Sequence, residues 1–593
     1  MDFIALFADR MANGVVELKA LKKHDAAYST FRLVTVLLVV GCIYFAVVEH
    51  AWQFYVASGL LSIAFIVLII RHRQLRENIT YITNWITVNK HDFDYVKGDL
   101  SAFDTGKEFS NPEHEFSEDL DLFGNKGLFP RLNRLVTDAG KALLAERLKQ
   151  NSMHNLPEKQ EAAKDSAARL DFRHAFLAEG QALENEPNLK QRIQDWAALK
   201  ADFSFFLKPW VLWPLSFLFA LCIVLFALYG NIDQSKYLAI PFFFNLYIFS
   251  RHLKRIKLER SYVDALAKSF LVRGKLIQLI ENEGFQSKEL TALKAKFMLK
   301  NKKASVALSE LGAILSQLDS MDNAFGATFI NGVLLYHLHV TKKLLQWKQR
   351  YALKLNDWLD VIAAFDYWVS LGGFAHKHPE FCFPSLDETK EFAAENMGHP
   401  FIDANVRVTN SLAFKDFQLV ILTGSNMAGK STFLRTIGIN LILTKLGLPV
   451  CADRFNTRAY QLLTSMKPQD SLAGNESYFQ AEVNRLRKLV DLMQSETKSF
   501  VLLDEILRGT NSQDKRNGTM AFLQKIKHYN IVGIIATHDI EITDLTAKEP
   551  TTFSNKFFES QLKNDDLHFD YQLRNGVCET PNASDLMRIK GII

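Results

Sequence analysis

Residues 419–432 read LVILTGSNMAGKST, and no other stretch of the chain restricts its fold as tightly. Leu419, Val420, Ile421 and Leu422 form an apolar run with the length and branching of a buried strand. The run leads without a gap into Gly424, Ser425, Asn426, Met427, Ala428, Gly429, Lys430 and Ser431, which fit G-x-x-x-x-G-K-[ST], with Thr432 next. Residues 433–439 then carry apolar positions at helical spacing. Strand, glycine loop and helix in this order are the setting in which such a motif cradles phosphates. Backbone N–H groups of the loop and the positive end of the helix would surround the phosphate chain. The Lys430 ammonium would reach the β- and γ-phosphates of a nucleotide such as ATP, and the Ser431 hydroxyl would help to hold Mg²⁺. The competing reading is a chance glycine turn before a helix, and eight matched positions in the right context weigh against it.

Two further strands complete a site of this kind. Residues 500–503 are apolar and end in Asp504 and Glu505. A carboxylate at the strand end, Asp504, suits Mg²⁺ held through water, and Glu505 can point at the water that attacks the γ-phosphate. Residues 531–536 form a third apolar run, ending at Thr537, His538 and Asp539. His538 is placed to sense or stabilise the γ-phosphate, the alternative being a structural histidine at a strand terminus.

A chain of 593 residues exceeds one core and should divide into roughly two to four domains. Its hydrophobic content of 48%, with 46 Phe, directs attention to membrane segments. Residues 33–48 and 54–70 are two apolar runs without a charge, separated by a short break. Each approaches the length needed to span a bilayer. Lys22, Lys23 and Arg32 precede the pair, Arg71, Arg73 and Arg76 follow it, and the connection has no Lys or Arg. The positive-inside rule makes this a hairpin with both ends in the cytoplasm. A buried helical hairpin in a soluble core is the other reading. A second pair, residues 209–229 and 237–249, contains Asn245 and is followed by the basic residues Arg251, Lys254, Arg255 and Lys257. It too predicts a hairpin with cytoplasmic ends, with Trp210 and Trp213 as interfacial anchors.

Between the hairpins the pattern is polar and helical, and residues 260–374 read as almost continuous helix. Basic clusters around Lys294–Lys303 and Lys342–Lys354 could face nucleic acid or anionic lipid, or could be solvated helix faces. The net charge of +5 identifies no partner by itself. Five scattered cysteines without metal-like spacing read as reduced thiols on the cytosolic side, with no zinc site.

TGSNMAGKST, LLDEILRGTNSQD and IIATHD together resemble the MutS mismatch-repair ATPases, a branch of the ABC-type ATPases. Ser425 stands where that family's loop has Pro, and Ala428 where it has Gly. Residues 470–479, DSLAGNESYF, are similar to the family segment whose Ser, here Ser477, touches the γ-phosphate bound by the other subunit. Residues 511–514, NSQD, look like the family's dimer-contact loop. Upstream, Asp119 to Gly124 and Thr137 to Gly140 resemble the start of the MutS core, residues 358–374 its closing helix, and Gly398 to Phe401 the strand that opens the ATPase. No counterpart of the family's mismatch-reading domain is found, and the second hairpin interrupts the core where that family carries lever helices and a clamp.

The expectation is therefore an α/β P-loop ATPase of the ABC-type, MutS-like kind at the C-terminus, over residues 391–593. It follows a helical core and lever region, 116–390, interrupted by a transmembrane hairpin at about 209–250. An N-terminal region, 1–115, carries the first hairpin at about 33–70. The resemblance implies an Mg²⁺-dependent ATPase working as a homodimer on mismatched or branched DNA. In it Glu505, Lys430 and His538 are catalytic, Ser431 and Asp504 hold the metal, and residues 424–432 and Ser477 bind nucleotide. The hairpins imply a multi-pass protein of the inner membrane with its ATPase in the cytoplasm. The rival reading is a membrane-tethered, ATP-driven switch acting on a protein or lipid partner without DNA. A transporter is disfavoured, since the split spans offer little substrate path and the LSGGQ sequence of ABC transporters is absent.

Overall fold

The computed structural model describes residues 2–578 apart from 50, 152, 185, 200–207, 230–236, 264–265, 300–301, 323, 390, 415–417, 426, 468–477 and 564–565. Asn426 and Ser477, and the last residues of the chain, therefore lie outside the described residues.

The first hairpin is longer than the apolar runs alone predict. It consists of helices Phe3–Val48 and Trp52–Val96, the first capped by the Asp2 side chain, which accepts from the Ala5 N–H. At 1.5 Å per residue each is about 70 Å long, roughly twice the hydrocarbon thickness of a bilayer. Both are long and apolar enough to cross a membrane by length and composition. Along the apolar halves the side chains face outward, as with Leu37, Val40, Leu60 and Ile63. The other halves form a stem that docks on the helical core. Gly14 permits the close approach of the two stem helices, since a Cβ there would lie 2.8 Å from Ile86. Arg10 donates to Asn89 at 3.1 Å and pairs with Asp171 at 2.7 Å.

At the base of the stem, Asp92 is buried among Lys377 at 2.6 Å, Arg134 at 3.2 Å and His174 at 3.2 Å. The charges of Lys377 and Arg134 and the hydrogen bond to His174 hold its carboxyl well below the usual carboxylate range against the opposing effect of burial. Lys377 ends the buried core helix Leu355–Lys377. The same helix presents Asp366, which accepts from the Thr137 hydroxyl at 2.6 Å and the Thr137 N–H at 2.8 Å. Burial pushes the Asp366 carboxyl up to about 7, even with these donors.

The second apolar pair is Pro209–Tyr229 and Ala239–Val263, the latter running without interruption through the basic flank. Asn245, the polar residue that weakens its sequence signal, is buried and donates to the Gly332 carbonyl at 2.9 Å. Gly332 belongs to a short apolar helix, Ala324–Leu334, that the reading of 260–374 as one helical stretch did not separate. It packs against both members of the pair, and a Cβ on Gly332 would collide with the Phe242 ring. Leu335, with φ of 50°, then breaks the chain into the next helix, Tyr336–Tyr351. In that helix Lys348 turns inward to Glu259 at 3.0 Å and Lys342 is buried, so the second basic cluster is not a continuous exposed face.

The C-terminal part is α/β, with ten strands among the described residues. They are β1 (Ser385–Leu386), β2 (Ala393–Met397), β3 (Asn410–Ala413), β4 (Leu419–Gly424) and β5 (Arg454–Thr457). Then follow β6 (Gln461–Ser465), β7 (Ser499–Asp504), β8 (Ile531–Ala536), β9 (Phe553–Lys563) and β10 (Asp566–Asn575). The smaller sheet has the order β1-β5-β2-β3 and the larger β10-β9-β4-β8-β7-β6. Strand β1 joins the small sheet from upstream of residue 391, and Gly398 to Phe401 follow β2 instead of opening it. In the large sheet every pairing from β6 to β9 is parallel, with an antiparallel β9–β10 edge. Strands β4, β7 and β8 are buried along their whole length, which is why each reads as a continuous apolar run.

Asp119 joins the helical core to this sheet. Its buried carboxylate accepts from the Thr464 hydroxyl at 2.6 Å and the Lys467 N–H at 2.8 Å, and pairs with Arg485 at 2.5 Å. Arg435, on the helix after the glycine loop, donates to the Asp119 carbonyl at 3.1 Å.

Candidate active site

Parallel strands present their C-terminal ends on one side of a sheet, and ligands bind there in open α/β folds. The neighbouring strands β4, β8 and β7 bring the glycine loop, His538 and the Asp504–Glu505 pair to that edge. Three segments spread over more than a hundred residues of chain thus meet at one place.

The loop depends on its glycines. Gly424 has φ of 148° and a Cβ there would lie 2.7 Å from the Phe558 carbonyl. Gly429 has φ of 101° and faces the Tyr571 ring at 3.1 Å from its would-be Cβ. Met427 also has a positive φ, of 68°, and is 82% exposed, so it stands out from the loop, whereas Ala428 is buried. Ser425, where the MutS pattern has Pro, donates to the Ser560 hydroxyl on β9 at 3.1 Å.

Lys430 opens the helix Lys430–Lys445. Its buried ammonium is folded over the loop, donating to the Gly424 carbonyl at 2.8 Å and the Ser425 carbonyl at 2.9 Å. Burial lowers its pKa from the ordinary lysine value. The Ser431 hydroxyl donates to Asp504 at 2.5 Å, while Thr432 is exposed one residue on. A hydroxyl and a carboxylate side by side next to a glycine cradle form an oxygen donor set that fits Mg²⁺ carried by a phosphate chain.

Glu505 follows β7 with φ of 49°, a strained conformation for a residue with a side chain. Its carboxylate lies 2.6 Å from His538 Nε2, with Arg508 at 3.6 Å and Lys515 at 3.8 Å. The hydrogen bond to His538 is the main cause that holds the Glu505 pKa down at about 2, helped by the charges of His538, Arg508 and Lys515.

Several participants carry no signal in the sequence. Glu482, on the helix Tyr478–Met493 that begins directly after Ser477, accepts from the Leu507 N–H at 2.6 Å and the Arg508 N–H at 2.9 Å. It braces the turn that follows Glu505. Arg508 also donates to the Asp504 carbonyl at 3.0 Å; the sequence holds it inside the LLDEILRGTNSQD stretch without marking its role. Tyr571 reaches the loop through the β9–β10 hairpin, about 140 residues downstream in the chain. Asn511, in the segment resembling a dimer-contact loop, caps the helix Ser512–Ile526 by accepting from the Asp514 N–H at 2.9 Å.

A parallel sheet with a glycine loop, an acidic strand end and a histidine at one edge defines a class of α/β domain, and comparison with known proteins narrows the class. Residues 420–589 match the model of MutS domain V. The DNA mismatch repair protein MutS of Natronomonas pharaonis is 27% identical over 248 residues, covering 40% of this chain and 28% of that protein. The MutS of Thermotoga maritima is 30% identical over 199 residues, covering 33% and 24%, and that of Desulfatibacillum aliphaticivorans 28% identical over 251 residues, covering 41% and 27%. The likeness to the MutS family thus lies in this C-terminal domain. It spans about a quarter of the length of these curated relatives.

Proposed function

We propose that the chain is a membrane-anchored ATPase of the MutS kind, in which ATP binding and hydrolysis move a helical core tied to membrane hairpins. The observation that carries this reading is the convergence of Lys430, Ser431, Asp504, Glu505 and His538 at adjacent strand ends. In this reading residues 424–432, Asn426 included, cradle the phosphates, and Lys430 leaves its loop carbonyls to meet them. Ser431 and Asp504 hold Mg²⁺, which when bound neutralises charge on the transferring phosphoryl group. Glu505 accepts a proton from the attacking water, and its pairing with His538 must loosen first, because a carboxylate with a pKa near 2 is a weak base. His538, 3.4 Å from the Lys430 ammonium, is placed to exchange Glu505 for the γ-phosphate.

Two copies would close on ATP, each site completed by Ser477 of the second copy. The helix that starts after Ser477 reaches the turn following Glu505 through Glu482, which supports a link between the trans segment and the base. Asp119 would transmit the closure to the core, and Asp92 with Lys377 would carry it to the first hairpin. By the positive-inside rule the basic flanks favour cytoplasmic ends for both hairpins, and hence a cytoplasmic ATPase, in an inner-membrane protein whose domains would divide near residues 115 and 390.

The relatives are named DNA mismatch repair proteins, and with the resemblance in sequence this makes mismatched or branched DNA the proposed target. Hydrolysis of Mg²⁺-ATP by the purified full chain, lost in Lys430→Ala, tests the catalytic reading. Binding of mismatched duplex that weakens steeply with salt tests the DNA reading. Absence of either activity removes the corresponding half. The inward turn of Lys348 and Lys342 favours a second reading, an ATP-driven switch acting on a protein or lipid partner, because it removes part of the basic face that DNA would need.

A further inference from the structure

Where the first hairpin leaves its apolar section, a cavity of about 740 Å³ opens between its second helix and the helices Ala267–Asn282 and Ala304–Asp319. Ile69, the last but one residue of an apolar run, lines the end nearest the lipid-facing surface. Arg32, His72, Arg73 and Arg76 form a collar directly behind it. Farther in, Ala178, Leu271 and Val272 make the wall mostly apolar, with Lys268 and Lys275 across from the collar.

The collar is built, not a chance gathering of surface charge. His72 is buried, paired with Asp25 at 2.7 Å and stacked on Tyr28. It positions Arg32, whose Nη1 lies 3.0 Å from His72 Nδ1 and whose guanidinium sits over the Phe65 ring. Among the described residues the buried Arg32 Nε has no hydrogen-bond partner, a donor left over in a half-buried guanidinium. Of the charged residues lining the cavity, five are Arg or Lys and three are carboxylates, Glu77, Glu179 and Asp319. Arg73 pairs with Glu77 at 3.4 Å and Arg76 with Asp25 at 3.3 Å, while Lys275 lies between Glu77 at 3.4 Å and Glu179 at 3.7 Å. At the collar end the guanidinium groups of Arg32, Arg73 and Arg76 thus face, among the described residues, only the carboxylates of Asp25 and Glu77.

A free phosphate would fill a small part of such a volume and would leave the apolar wall wet. A cationic collar at the boundary of an apolar span, ahead of a mostly apolar chamber, instead fits an amphiphile with an anionic head. We infer that this cavity binds an anionic phospholipid, its phosphate on Arg32 and Arg73 and its hydrocarbon leaving past Ile69 and Phe65 along the hairpin. The inference rests on residues 33–48 and 54–70 lying in a bilayer.

The test uses the full chain in phosphatidylcholine vesicles carrying a small fraction of phosphatidic acid with a diazirine in its acyl chain. Cross-links should concentrate near Ile69 and Leu271 and be competed by unlabelled phosphatidic acid, but not by millimolar inorganic phosphate. Arg32→Gln with Arg73→Gln should reduce labelling by about tenfold, a change of ~1.4 kcal/mol. Leu271→Trp, which fills the chamber and leaves the collar charges in place, should reduce labelling as strongly with an unchanged melting temperature. Equal labelling by a phosphatidylcholine probe, competition by inorganic phosphate, or indifference to Leu271→Trp would each overturn the inference. Flotation of the same vesicles separates the two levels. A chain that floats but shows no selective labelling refutes the lipid site alone, whereas one that fails to float refutes the membrane reading and the site together.

Discussion

His538 Nε2 lies 2.6 Å from Oε1 of Glu505, so the histidine after β8 and the second carboxylate after β7 are partners within one chain. The contact exists because β7 and β8 are adjacent and parallel, with Asp504 in register with Ala536. Glu505 carries the proton-accepting role in the proposed reaction, and His538 controls how basic it is.

Replacement of Glu505 by Gln preserves shape and leaves Asp504 and Ser431 in place. Steady-state ATP hydrolysis should fall by about 10²–10⁴-fold, the range for a lost general base, while fluorescent-nucleotide binding persists. Turnover equal to wild type would remove Glu505 from the mechanism.

The depressed pKa of Glu505 has a consequence for stability. A carboxyl whose folded value, about 2, is below its unfolded value stabilises the fold above the unfolded value. That contribution is lost as pH falls from the ordinary carboxylate range toward 2. His538→Ala removes the largest cause of the shift, so acid denaturation of the variant should lose this part of its pH dependence. Identical acid-unfolding profiles for the two proteins would show that the pairing does not persist in solution.

Asp92 faces Lys377, Arg134 and His174 in the interior. Asp92→Ala would leave Lys377 and Arg134 buried without their counter-ion, a loss of about 3–5 kcal/mol by the behaviour of broken buried pairs. Denaturant unfolding of the detergent-solubilised chain measures it. Because the cluster ties the stem to the core, the variant should also expose the stem to protease before the α/β part is cut.

Buried Asp366 gives a pH dependence of opposite sign. Its folded pKa, about 7, lies above the unfolded value, so stability is highest in acid and declines as pH rises toward 7. The slope is at most ~1.4 kcal/mol per pH unit for one proton. Denaturation between pH 5 and 8 should show this decline in the wild type and not in Asp366→Asn.

The trans arrangement is open to a mixing experiment. Ser477→Arg should block hydrolysis and spare ATP binding by a single chain. Mixed with Lys430→Ala chains, it should regain up to one working site per heterodimer, pairing the intact Lys430 of one chain with the intact Ser477 of the other. Heterodimers that form but hydrolyse no faster than either parent would place Ser477 outside the site.

The amino-acid sequence by itself determined the features whose physics is local. Strands β4, β7 and β8 are continuous apolar runs because both their faces are covered, so their positions and their polar ends, Lys430, Asp504, Glu505 and His538, were legible from order and spacing alone. The glycine loop was legible because Gly424 and Gly429 occupy backbone conformations that side chains resist. Apolar length likewise marked the two helices of the first hairpin, which are long and apolar enough to cross a membrane. Tertiary structure alone decided the rest, since it depends on which distant segments meet. The stem of the first hairpin is mixed in polarity and acquires its meaning from Asp92 and Lys377, 285 residues apart in the chain. Helix Ala324–Leu334 is too short to signal that it packs on the second apolar pair until Asn245 is found bonded to Gly332. Glu482, Ser560 and Tyr571 reach the site by sheet order and side-chain direction, and those are properties of the packed fold that no spacing along the chain encodes.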